Sequence, residues 1–227
     1  MTQPSIAQAI PVRSGVERAT LVRRTYGVVF GGIIVTCLGA AMAMTQPSLM
    51  QAVIDHPIIS MLCMFAPLFL VRAQARVFPQ NIILTGLFTF AMGVMIAPYL
   101  YVASRDQPGI IGEAAVLTLA VFGALSLYAV FSRRDFSAWG QFFFIGLVVL
   151  LITSVINMFV RSAGAALWLS GATVLVFSGL LVFDTWRIVR SGAYGEDDYV
   201  SAAVMIYLDL INMFLAILSL LGGGRRR

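Results

Sequence analysis

LVFDTWRIVRSGAYGEDDYVSAAVMIYLDLINMFLAILSLL, residues 181–221, holds two apolar segments joined by a short charged turn, with one aspartate inside each segment. Asp184 ends an uncharged run that begins at Ser162, and Asp209 lies between the uncharged residues 199–208 and 210–224. A carboxylate inside a membrane segment costs roughly 2.5 to 3.5 kcal/mol on insertion scales, so it is kept where it faces a protein interior or a water path. Two of them on consecutive helices mark a candidate site. At about 1.5 Å per residue, Asp184 lies roughly 9 Å and Asp209 roughly 15 Å from the turn they share, so antiparallel helices can bring them together. Two carboxylates close together in a low-dielectric site cannot both ionise cheaply. Such a pair holds a shared proton and titrates as a unit, and when fully ionised it attracts a hard cation through its oxygens.

The rest of the chain sets the medium. Of 227 residues, 60% are apolar and mean hydropathy is +0.93, well above the range of globular domains. Uncharged runs at 25–54, 77–104, 114–132, 136–160 and 162–183 each reach the ~20 residues that a hydrocarbon core requires. Only 57–71 is short. The expected architecture is an all-α integral membrane protein of seven transmembrane helices. The last six are expected at 57–77, 80–103, 109–131, 137–160, 165–189 and 199–221. Residues 1–24 read as a mobile cytoplasmic tail, 25–222 as the membrane domain and 223–227 as a short basic tail. The small residues Ala41 and Ala43 mimic a signal-peptide cleavage site, but the apolar run is too long for one, so the first helix is expected to be retained. Within it Gly27 and Gly31 form a GxxxG, suited to close helix contact inside the bundle. Residues 45–57, with Pro47, Asp55 and the single histidine His56, read as a loop, and Pro98 is expected to kink the third helix.

The charge of +5 comes from fifteen arginines and no lysine, placed beside helix ends rather than on one basic face, so nucleic acid is not the expected partner. Counted by side, Arg13, Arg18, Arg23, Arg24, Arg72, Arg76, Arg133, Arg134, Arg187 and Arg190 oppose only Arg105 and Arg161, which places the N-terminus in the cytoplasm. Arg225, Arg226 and Arg227 run against that rule, since seven spans leave them outside. Cys37 and Cys63 sit in apolar runs without CxxC spacing and read as packing residues. A retinal protein needs a Schiff-base lysine, a b-type haem needs intramembrane histidines, and a zinc protease needs HExxH; all are lacking, so no enzyme and no cofactor are expected.

The segment "LVFDTWRI", the acidic turn "EDDYVSAA" and "IYLDLINMFLAILSLLG" resemble the signature region of the Bax inhibitor family, also called the transmembrane Bax inhibitor motif family. Tyr207, Leu208, Asp209, Ile211 and Asn212 are its most telling run. The stretch from Phe90 through Gly93 to Pro98 and "GEAAVLT" at 112–118 extend the likeness over most of the chain after Arg23. The resemblance implies a bundle with the seventh helix at its centre, hence a monomer, and a pH-sensitive calcium leak with Asp184 and Asp209 as the proton-sensing, transiently calcium-binding pair. It also places an arginine of the second helix against that pair in a closed state, with Arg72 the first choice in "FLVR" and Arg76 the second. Eukaryotic members usually end in a lysine-rich tail, from which this chain departs. Read from the residues alone, Asp184 has a local partner in Arg187 three positions on. Glu113 is a candidate for a pore mouth or for snorkelling to the surface, and Tyr207 and Asn212 for interhelical hydrogen bonds or pore lining. The rival class is a membrane interaction protein that regulates an integral partner such as a quality-control protease, in a bacterial inner membrane.

Overall fold

The computed structural model describes residues 15–74 and 76–224. Among them the chain forms eight α-helices and one short 3-10 turn: α1 (Gly15–Met44), α2 (Pro47–Asp55), α3 (Pro57–Ala73), α4 (Gln80–Asp106), α5 (Ile110–Phe131), α6 (Ser137–Val160), α7 (Ala163–Val189), the turn Glu196–Asp198, and α8 (Tyr199–Gly224). Six of these helices, α1 and α4 to α8, are long and apolar enough to cross a membrane. The 17 residues of α3 fall short of that standard. At ~1.5 Å per residue they span about 25 Å, against a hydrocarbon core of ~30 Å.

Three expectations change locally. Helix α1 already includes Gly15, so Arg18, Arg23 and Arg24 ride on a helical extension instead of a tail that ends at residue 24. Most of the expected loop at 45–57 is the helix α2. Pro47 and Pro57 stand at the first turns of α2 and α3, where the missing N–H costs nothing and the fixed φ suits a helix, so these prolines start helices rather than interrupt them. His56 is left as the joint between the two. The cysteines are both exposed on the helix surface instead of packed inside, which an apolar thiol tolerates wherever the neighbour is lipid.

Helices α1 and α4 run side by side in the same direction, because their contacts advance together from Gly32 against Thr89 to Ala40 against Gly93. Two glycines make this approach close: a Cβ on Gly93 would run into the Thr36 carbonyl, and one on Gly39 into the Phe90 carbonyl. The GxxxG glycines serve no such contact. Neither Gly27 nor Gly31 has an atom within 4 Å of where a Cβ would stand. They line an open cavity of about 460 Å³ between α1 and α4 instead.

Helices α7 and α8 are antiparallel, paired from Ser170–Ser219 (2.8 Å) through Ser178–Met213 (3.5 Å) toward the two aspartates. Helix α8 packs on α1, α4, α5 and α7, and Val200, Ala202, Ala203, Ile206, Tyr207, Met213 and Leu218 are fully enclosed. More than half of its apolar stretch, 56%, is buried, against 6% for α6, which packs mainly on α7. Lipid is the natural neighbour for the apolar face of α6, with Phe142, Phe144 and Phe159 exposed along it.

The glycine contacts predict an asymmetric response to added methyl groups. Gly93→Val should destabilise the bundle by about 1 to 3 kcal/mol through overpacking against a carbonyl that cannot move alone. Gly27→Ala should be neutral or slightly stabilising, since alanine favours a helix over glycine by up to about 1 kcal/mol. Thermal unfolding in detergent, followed by circular dichroism, compares the two.

Candidate functional site

Asp184 occupies the penultimate turn of α7 and Asp209 the second quarter of α8, and both are buried, at 3% and 4% exposure. The antiparallel packing of α7 and α8 places each within reach of the other's charge. Burying two ionised carboxylates without a cation would be costly, and among the described residues the structure supplies one to Asp184 and none to Asp209. Arg187 Nη1 donates to Asp184 Oδ1 at 3.4 Å, one turn along the same helix. The guanidinium lies 5.5 Å from the Phe183 ring centre and 5.0 Å from that of Tyr194, which belongs to the turn after α7. Asp209 Oδ2 is buried with no hydrogen-bond partner among the described residues.

Around the pair, hydroxyls knit the helices together. Tyr26 of α1 shares a hydrogen bond with Thr185 Oγ1 at 3.3 Å, beside Asp184. Tyr207 Oη lies 2.7 Å from Thr36 Oγ1, and Thr36 Oγ1 in turn lies 2.8 Å from the Gly32 carbonyl and 3.0 Å from the Thr89 carbonyl. Thr36 has a single hydroxyl proton, so it donates to one of those carbonyls and Tyr207 donates to it. The phenol of α8 is thereby fixed to α1 beside its glycine contact with α4, and its ring meets Phe88 edge-on at 5.8 Å.

The other sequence candidates lie elsewhere. Asn212 donates to the Leu208 carbonyl at 2.7 Å, a bond within its own helix. Glu113 is exposed in the first turn of α5, at the end of the bundle where Ile110 meets Gly222, far along α8 from Asp209. Arg76 pairs with Asp198 in place of the buried aspartates, through Nε at 2.8 Å and Nη2 at 3.2 Å. Those hydrogen bonds, followed by the charge of Asp198, hold the Arg76 guanidinium above its ordinary pKa. Arg72 is near the end of α3, and its side chain lies outside the described residues.

Two features escaped sequence reasoning. Tyr194 is seven residues from Arg187 across a turn, a spacing with no periodic signal, and Thr36 is one of several hydroxyls in an apolar helix. Beyond Tyr207 lies an apolar cavity of about 180 Å³ lined by Ile33, Cys37, Leu100, Ile211 and Phe214 among others. At the far end of the bundle a cavity of about 370 Å³ is lined by Asp106, Gln107, Ser219 and Gly222 among others. Among the described residues, no group of three or more His, Cys, Asp or Glu side chains gathers as a metal site. The pair can therefore offer carboxylate oxygens to a proton or to a passing cation, but not a closed coordination shell.

The family model described as "Inhibitor of apoptosis-promoting Bax1" matches residues 18–226. A Vibrio cholerae protein named only as an uncharacterized membrane protein is 33% identical over 227 residues, covering 98% of this chain and 97% of that protein. A BI1-like protein of Arabidopsis thaliana is 31% identical, covering 89% and 80% of the two chains. Bax inhibitor 1 of Schizosaccharomyces pombe is also 31% identical, covering 90% and 77%.

The hydroxyl link is testable in isolation. Tyr207→Phe keeps the ring and removes the donor to Thr36, for an expected loss of about 1 kcal/mol. Thr36→Val should cost a similar amount, and the double variant less than the sum. Additivity in the thermal unfolding of the three variants would show that the two hydroxyls act separately.

Proposed function

This chain belongs to the Bax inhibitor family, and from that membership together with the buried aspartate pair we propose that it is a pH-sensitive leak pathway for calcium, gated by protonation of Asp184 and Asp209. The observation that carries the reading is the burial of two mutually interacting carboxylates on facing helices, with one oxygen of Asp209 lacking a partner among the described residues. One proton shared by the pair lets α7 and α8 stay in contact. Loss of that proton puts two negative charges together in a low-dielectric interior, which favours separation of the helices or entry of a cation between them. Calcium is cargo here, held transiently by carboxylate oxygens, and the chain works without a cofactor or catalytic group.

Packing supports the finer architecture. Because α1 and α4 run in the same direction, the connection through α2 and α3 has to return across the bundle, and a short α3 can complete a seventh crossing where neighbouring segments or local thinning make up the length. Helix α8 is then the seventh span and the one most enclosed by the others, so one chain suffices for the pathway. Arg24 over Tyr199, Arg76 on Asp198, Arg187 against Tyr194 and Arg190 at the Val130 carbonyl bring arginine-bearing ends to one side, which we assign to the cytoplasm of a bacterial inner membrane.

Purified protein reconstituted in liposomes with an enclosed calcium dye should show flux that changes from about pH 5 to 8. The double variant Asp184→Asn, Asp209→Asn should lose that pH dependence while remaining folded by circular dichroism. Unchanged pH dependence in the variant would remove the pair from the gate. Absence of flux above protein-free liposomes at every pH would overturn the channel reading in favour of a regulator of an integral-membrane partner.

A further inference from the structure

We propose that Arg187 is the positioning residue of the aspartate pair, and that Phe183 and Tyr194 hold its guanidinium beside Asp184, so that the turn between α7 and α8 sets the proton affinity of the pair. The inference deepens the gating reading and rests on it for its consequence in flux, but its own test reads protonation directly.

Arg187 is in the last turn of α7, where a long cationic side chain ordinarily extends to the polar boundary. Here it turns back along its own helix. Its side chain is 32% exposed, and its guanidinium faces the rings of Phe183 and Tyr194 at 5.5 and 5.0 Å. Both distances lie within the ~6 Å reach of a cation–π contact, which gains strength as water is excluded. The 3.4 Å separation from Asp184 is longer than the ~2.7 to 2.9 Å of a tight charged hydrogen bond. Asp184 alone therefore does not account for the placement; the two rings share in it.

Tyr194 is in turn tied to the end of α7. Ser191 Oγ donates to the Arg187 carbonyl at 2.8 Å and accepts from the Ala193 amide at 3.1 Å. The turn that carries Tyr194 thus begins on the residue it clamps. A shift of this turn moves the cation relative to Asp184, and through Asp184 alters the field on Asp209.

Among the described residues no other cation is paired with either aspartate. Helix α1 brings Tyr26, which is engaged with Thr185, and Arg24, which lies over Tyr199 at 5.8 Å. Helix α5 brings Tyr128, with Glu113 at its other end, and α6 contains no ionisable residue. Helix α8 brings Asp209 itself and Tyr207, whose hydroxyl faces Thr36. Asp198 in the turn before α8 is paired with Arg76. Arg72 belongs to the test as the alternative cation.

The full chain in lipid bilayers, labelled with carbon-13 aspartate, reports protonated carboxyl groups through their carbonyl stretch in infrared difference spectra. Asp184→Asn and Asp209→Asn assign the band to the pair. Removing a cation makes a carboxylate hold its proton to higher pH, so Arg187→Gln should move the titration midpoint upward by about one pH unit or more. Tyr194→Leu should move it the same way by less, and Arg187→Lys should restore part of the shift because it keeps the charge and loses the planar stacking. An unchanged midpoint in Arg187→Gln would overturn the proposal. So would a larger upward shift in Arg72→Gln than in Arg187→Gln. If Arg187→Gln does not fold, the Tyr194→Leu and Arg187→Lys titrations decide, and unchanged midpoints in both overturn it. Absence of calcium flux in the wild type sinks the channel reading while leaving this titration intact; pH-dependent flux with an unmoved Arg187→Gln midpoint sinks this inference alone.

Discussion

Two aspartates enclosed by apolar helices, with a single arginine among the described residues beside one of them, are the constraint on which the arrangement depends. Burying an ion costs several kcal/mol even after a protein relaxes around it, and each carboxylate here makes its neighbour's ionisation harder. The fold answers unevenly. Asp184 receives a guanidinium from its own helix, whereas Asp209, deeper in α8, receives neither a cation nor a partner for Oδ2 among the described residues. A site that wanted only stability would replace such a pair by leucines, which makes the retained imbalance a functional signal.

Holding that imbalance requires a rigid surround, and the contact between α1 and α4 provides it. Gly39 and Gly93 let the two backbones approach until a side chain would collide with a carbonyl. Thr36 lies in the same contact and accepts the hydrogen bond of Tyr207, two residues before Asp209. Without a hydrophobic driving force between helices in lipid, close van der Waals packing and interhelical hydrogen bonds are the means available. Here both are concentrated within a few residues of the carboxylates. On the other flank, α7 is set by the rings of Phe183 and Phe143, which fill the notches left by Gly140 and Gly179 of the α6–α7 pair.

The charged turn between α7 and α8 connects these layers to the surface. It contains Tyr194, which stacks on Arg187, and Asp198, which holds Arg76 from the connection between α3 and α4 and also accepts from the Gly195 amide at 2.8 Å. Segments far apart in sequence therefore meet on one short stretch of backbone. The short helix α3 is tied to the enclosed helix α8 through this stretch.

Much of this was legible in the chain. Runs of about 20 uncharged residues impose helices because lipid offers no hydrogen bonds to an open backbone, and an aspartate in such a run stands out against it; Asp184 and Asp209 needed no more than that. Seven spans were expected, of which six have the length and apolar character to cross, and these six, the burial of both aspartates and the family follow from pattern and motif. Pattern failed where a residue's role depends on what faces it. Gly27 and Gly31 match a contact motif but meet open space, while Gly39 and Gly93, which carry the contact, form no GxxxG. Pro47 read as a loop residue but starts a helix, and Arg76, the second choice after Arg72 for the partner that the resemblance implied, meets Asp198. Burial, charge and helix content are summed along a chain and so can be read from it; the choice of partner, such as Tyr194 for Arg187 or Tyr207 for Thr36, arises only when helices distant in sequence are packed together.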